Sequence, residues 1–173
     1  AFLDYALQSL PGLHEVTRSA WGERRLWSVG PFQVARVLEG KQAAGHVGVV
    51  MVRAMPPGRL QKTVRVALSR PVLECRYDVE DLSIPVVALE FNWALRDEQR
   101  LTPRQSSDVT RLEVADPSAG IALRATLEPA ATVIHFPVET VSESEAGMER
   151  TYQGLCVMCL WPLADAGGRW SSR

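Results

Sequence analysis

No apolar run in this chain reaches the roughly 18 residues that a membrane-crossing helix needs, so no helical span is expected. No charge of one sign dominates. Lys and Arg number 19 against 20 Asp and Glu, mixed along the chain, which leaves no electrostatic footprint for nucleic acid or an anionic membrane. The opening AFLDYALQSL carries Asp4 and no basic leader, so it does not read as a signal peptide. The chain starts at Ala1 rather than Met, and is expected to be a piece of a longer protein or a processed chain. A phosphate-binding glycine loop, a G-x-S-x-G elbow and an H-E-x-x-H pair are all missing, and neither a cofactor nor a metal is expected.

Cysteine is scarce. Cys156 and Cys159 have C-x-x-C spacing, but they sit inside LCVMCLW with no Gly, His or charge between them. A redox pair of this spacing uses a helix N-terminus, whose dipole stabilises thiolate. In a strand, positions three apart point to opposite faces. Two buried structural thiols follow; zinc would need a second ligand pair. Unpaired thiols fit a reducing, cytoplasmic setting.

What the chain does have is alternation. LECRYDV sets Leu73, Cys75, Tyr77 and Val79 against Glu74, Arg76 and Asp78, a strand with one wet face. VALEFNWAL sets Val87, Leu89, Phe91, Trp93 and Leu95 against Ala88, Glu90, Asn92 and Ala94. QKTVRVAL sets Val64, Val66 and Leu68 against Thr63 and Arg65; IALRATL sets Ile121, Leu123 and Leu127 against Arg124 and Thr126. TVIHFPV puts Ile134, Phe136 and Val138 opposite His135. Further strands are expected at LWSV, FQVARVL, VGVVMVRAM, VTRLEV and GLCVMCLW, separated by turns such as MPPGR and ADPSAG. One short helix fits only near Asp4–Ser9, and Arg96–Asp108 reads as the longest excursion between strands. The expected fold is all-β: an antiparallel two-sheet β-sandwich over residues 1–173, a single domain.

Three groups are candidates for chemistry. The acidic run ETVSESEAGMER is either a strand, with Glu143 and Glu145 on one face, or a loop whose carboxylates could work as acid and base or hold a cation, or could simply be solvated and answered by Arg150 and backbone N–H groups. His135 with Glu139 or Glu149 is a candidate proton-transfer pair for sugar ring opening, as in a free-standing mutarotase-like epimerase. Trp21 and Trp27, six apart in SAWGERRLW, would share one face of an extended segment and offer a stacking surface to carbohydrate.

PVETVSESEAGMERTYQG resembles the pattern near the C-terminus of family-57 glycoside hydrolases of the 4-α-glucanotransferase and α-amylase type. There a TVS-x-SE-x-G-x-ER-x-YQG string precedes a final apolar strand. Thr140, Val141, Ser142, Ser144, Glu145, Gly147, Glu149, Arg150, Tyr152, Gln153 and Gly154 all fit it; Met148 stands where an aromatic is usual. FLDYAL is similar to the family's F-x-D-H phrase, with Tyr5 in place of His, and VALEFNWAL is similar to its V-x-(V/L)-E-(L/F)-N strand. The resemblance implies the C-terminal β-sandwich, similar to the galactose mutarotase-like supersandwich, of an enzyme whose catalytic carboxylates lie in a separate barrel domain. Nothing here resembles that barrel, so no catalytic residue is carried over. What is implied is a non-catalytic accessory domain. Its partner is the catalytic domain of the same parent chain, with contact to α-glucan or maltooligosaccharide as a further expectation. Its motif loop is then a rigid corner in which Glu145 and Glu149 are paired, or a face toward that partner. A plain carbohydrate-binding module is the third reading.

Overall fold

The computed structural model describes residues 2–27, 31–40, 45–55, 58–80, 84–95, 102–144, 147–163 and 169–172. Its elements are β1 (Phe2–Leu7), helix α1 (Leu13–Thr17), a 3-10 turn (Ala20–Arg24), β2 (Arg25–Trp27), β3 (Gln33–Leu38), β4 (His46–Met55), β5 (Gly58–Ala67), β6 (Leu73–Glu80), β7 (Val86–Trp93), β8 (Arg104–Asp116), β9 (Ile121–Ser144), β10 (Gly147–Pro162) and β11 (Arg169–Ser172). The all-β expectation is met, with two antiparallel sheets. They belong to two compact units, Ala1–Ser28 with Pro85–Pro162, and Val29–Ile84 with Leu163–Arg173.

The first unit holds the sheet β2-β1-β7-β10-β9-β8. Its centre is β10. Leu155 through Trp161 are all buried, on both faces, because neither face of this strand meets water. One face carries Met158, Leu160 and Cys156, together with Tyr5, Leu7, Val86, Ala88 and Ile134 from neighbouring strands. Val16 of α1 is buried in this cluster and Leu13 packs against it. Each such buried aliphatic side chain contributes about 1.5–3 kcal/mol of transfer free energy. The α1 turn is tied down by Glu15. Its carboxylate accepts the Gly12 N–H at 2.8 Å and pairs with Arg24 at 2.6 Å, and those contacts hold its pKa below the usual range.

Two sequence expectations fail in this unit. The short helix at Asp4–Ser9 is instead mostly strand: β1 pairs with β7 in unbroken register from Phe2↔Phe91 to Leu7↔Val86. A helix this short gains little from propensity, whereas the strand buries Tyr5 and Leu7. Conversely, α1 and the 3-10 turn form where no helix was expected. The excursion Arg96–Asp108 ends early, since β8 begins at Arg104; residues 96–101 lie outside the described residues.

The second unit holds the sheet β11-β6-β5-β4-β3. Its registers stack side chains in rows across the strands. Val47, Val66 and Leu73 form one row, Val37, Val49, Val64 and Cys75 the next, and Val34, Met51, Lys62 and Tyr77 a third. Val34 and Val37 share this face although they are three apart. A bulge between Val34 and Arg36 takes up the extra residue. The opposite face carries charge at β5 and β6, including the Arg59–Glu80 pair at 2.7 Å. Lys62 is buried on the apolar face, its ammonium 5.3 Å from the Tyr77 ring centroid and 5.7 Å from that of Phe32. The alternation expected for QKTVRVAL is right about which residues share a face. It is wrong about burial: Thr63 is buried, while Val66 and Leu68 are exposed.

Candidate functional site

The acidic run is a hairpin, not a loop. β9 continues to Ser144, β10 starts at Gly147, and the pairing runs Ser144↔Gly147, Glu143↔Met148, Ser142↔Glu149, Val141↔Arg150, Thr140↔Thr151 and Glu139↔Tyr152. Thr and Val favour the extended backbone, and Gly147 supplies a φ of 112° as the chain enters β10. Glu145 lies outside the described residues, as does the side chain of Ser144. The hairpin ends against the sheet at a bulge. There Gln153 is passed over, and Gly154 adopts a φ of 154° against the Trp93 carbonyl, where a Cβ would collide.

Paired residues share a face, so the motif divides in two. Glu139, Val141, Glu143, Arg150, Met148 and Tyr152 lie on one face; Thr140, Ser142, Glu149 and Thr151 lie on the other. The Arg150 guanidinium pairs with the Glu139 carboxylate at 3.1 Å, and Gln153 donates to the Thr140 hydroxyl at 3.2 Å. The Glu149 side chain is exposed. Of these motif side chains only Tyr152 is half-buried.

The candidate proton-transfer pair does not assemble. His135 and Glu139 are four residues apart on one extended strand, about 13 Å along its axis. Glu149 pairs with Ser142, about 23 Å along β9 from His135 and on the opposite face. Both separations far exceed hydrogen-bond reach. His135 instead pairs in register with Val157 and Arg104. Burial, and then the Arg104 charge, hold its imidazole below the ordinary range, and its Nδ1 has no hydrogen-bond partner among the described residues.

Trp21 lies in the 3-10 turn and Trp27 ends β2, so no single extended stretch carries both. Cys156 and Cys159 are buried and free, and burial pushes both thiols up to about 12, which keeps them protonated and poor nucleophiles at neutral pH. Cys75 lies half-buried on β6. Among the described residues no group of three or more His, Cys, Asp and Glu is placed to hold a metal ion.

One arrangement was missed by the sequence reading. The Tyr5 phenol donates to Glu90 at 3.0 Å, Asn92 donates to the other Glu90 oxygen at 2.6 Å, and the Arg25 guanidinium lies 5.4 Å from the Tyr5 ring centroid. Burial, and then Glu90, raise the Tyr5 pKa, so the phenol stays a donor. FLDYAL and VALEFNWAL are β1 and β7, and β7 is flanked by β1 and β10. The three strings that carry the resemblance therefore run through four neighbouring strands, β1, β7, β10 and β9. Tyr5, at the position of the expected His, reaches Glu90. Because β1 was read partly as helix, this neighbourhood was not visible.

Fold and sequence strings together define an all-β chain whose first sheet carries all three strings. A family model described as "Alpha-amylase/4-alpha-glucanotransferase, C-terminal" matches residues 1–173, and the chain belongs to that family. A 4-alpha-glucanotransferase of Thermococcus litoralis is 27% identical over 116 residues, 67% of this chain and 17% of the relative. The crystal structure of 4-alpha-glucanotransferase from the same organism superposes with a TM-score of 0.72 at 20% identity, covering 99% of this chain and 26% of that one. At that identity the likeness is one of fold. The chain spans about a quarter of the solved relative's length and corresponds to the C-terminal part of a larger enzyme chain.

Proposed function

We propose that this chain is the non-catalytic C-terminal domain, one β-sandwich over residues 1–173, of a cytoplasmic α-glucan-processing hydrolase or 4-α-glucanotransferase. The carrying observation is the family match across the whole chain. The separation of His135 from both acids supports it against the epimerase reading. In this proposal the domain buttresses a catalytic domain in the same polypeptide, since a rigid neighbour holds active-site loops in place. Contact with α-glucan through Trp21 or Trp27 belongs to the same reading, as does the mutarotase-like arrangement of the sheets.

The test compares the full-length polypeptide with residues 1–173 alone on amylose and maltooligosaccharides. The full-length protein is expected to cleave or transfer glucan, and the domain alone to do neither. Reducing sugar released by the domain alone would overturn the proposal, as would faster mutarotation of fresh α-glucose that His135→Ala abolishes. Trp21→Ala and Trp27→Ala are expected to weaken retention on a glucan gel; unchanged retention in both removes the stacking role.

A further inference from the structure

The second sheet keeps an apolar face that water still reaches. Along it Val34 is 63% exposed, Val37 56%, Val47 41%, Val66 44% and Leu73 53%. These are neighbours in the registers of β3 to β6, so they form one patch. The same face is closed a few residues further on, where Leu60, Tyr77 and Val79 are buried. The patch also runs out to β3, an edge strand. Edge strands are ordinarily blunted by charge, yet β3 turns two valines outward here. A contiguous exposed apolar surface marks an interaction site.

The chemistry of the five side chains narrows the occupant. They offer no aromatic ring and no hydrogen-bonding group, so they cannot select a sugar, which needs both. They offer no charge to steer nucleic acid or an acidic peptide. A contiguous aliphatic surface suits another packed protein face. About three quarters of the solved relative's length lies outside the part this chain matches. We infer that the β3–β6 apolar face is the surface on which the preceding part of the same polypeptide docks. This rests on the accessory-domain reading and specifies where the buttress makes contact.

The experiment uses the full-length polypeptide. Single cysteines replace Val37, Val66 and Leu73 on the apolar face, and Arg65 and Arg76 on the opposite face of the same strands. Maleimide labelling is followed peptide by peptide, which separates these sites from Cys75, Cys156 and Cys159. The apolar-face positions are expected to react at least ~10-fold more slowly than Arg65→Cys and Arg76→Cys, since thiol reactivity follows access. Equal rates on the two faces overturn the inference. Protection that vanishes on dilution, together with a dimer seen by light scattering, also overturns it and assigns the face to a second copy. Amylose turnover by the same preparations reads the underlying proposal separately. Inactivity with protection intact defeats the enzyme assignment and leaves the docking face standing.

Discussion

β10 and β5 are both long strands inside antiparallel sheets, and they solve burial differently. On β10 the run LCVMCLW has no polar position, and all of it is buried. On β5 apolar and polar residues alternate, and burial fades along the strand from Leu60 to Val66. A strand covered on both faces has no use for alternation; a strand with one wet face requires it. Stability is therefore expected to concentrate around β10, while the second sheet keeps surface in reserve for contact.

The sharpest test of that contrast is a pair of truncations. Leu160→Ala, at a fully buried position, is expected to lose about 3 kcal/mol, whereas Leu73→Ala, half exposed, loses under about 1 kcal/mol. Urea midpoints measure both, and similar losses would erase the distinction between the sheets. Next comes Gly154→Ala, which places a Cβ against the Trp93 carbonyl at a left-handed φ. About 2 kcal/mol should be lost, read from the same titrations. The hairpin beyond it should be nearly indifferent. Arg150→Ala and Glu149→Ala are each expected to change stability by about 0.5 kcal/mol or less, because exposed ion pairs are screened by water. A loss of about 1 kcal/mol or more at Glu149 would favour the locked-corner reading of the motif.

The smallest effect is one of pH. His135 is held below its ordinary value of 6.5 in the folded chain. The unfolded chain takes up that proton near pH 6.5 and the folded chain only at lower pH, so stability falls as pH drops through this window. His135→Phe should flatten that fall between pH 7 and 5.5 in a series of denaturation curves. An unchanged slope would mean that other groups carry it.

The motif string shows how far a linear reading reaches. Its residue types identify the family, yet they leave open whether ETVSESEAGMER is strand or loop. The partner strand decides it: each described Glu or Ser of the string sits opposite a residue of the paired strand, and an exposed hairpin tolerates polar side chains on both faces. Tyr5 shows the reverse. FLDYAL was recognised as a family phrase but read partly as helix, and its contact with Glu90 spans 85 positions in sequence. No periodicity within a short window encodes such a contact.

Which residues of LECRYDV, VALEFNWAL and TVIHFPV share a face is written into the order of the amino acids, because a pleated strand turns alternate side chains to opposite sides whatever surrounds it. The unpaired state of the buried thiols in LCVMCLW also follows from local order, since a strand separates positions three apart. Coverage is another matter. That Val66 stays wet while Thr63 is buried, that β1 is a strand, and that His135 stands far from Glu149 all depend on which distant segments arrive alongside. Burial belongs to the assembled neighbours rather than to the residue.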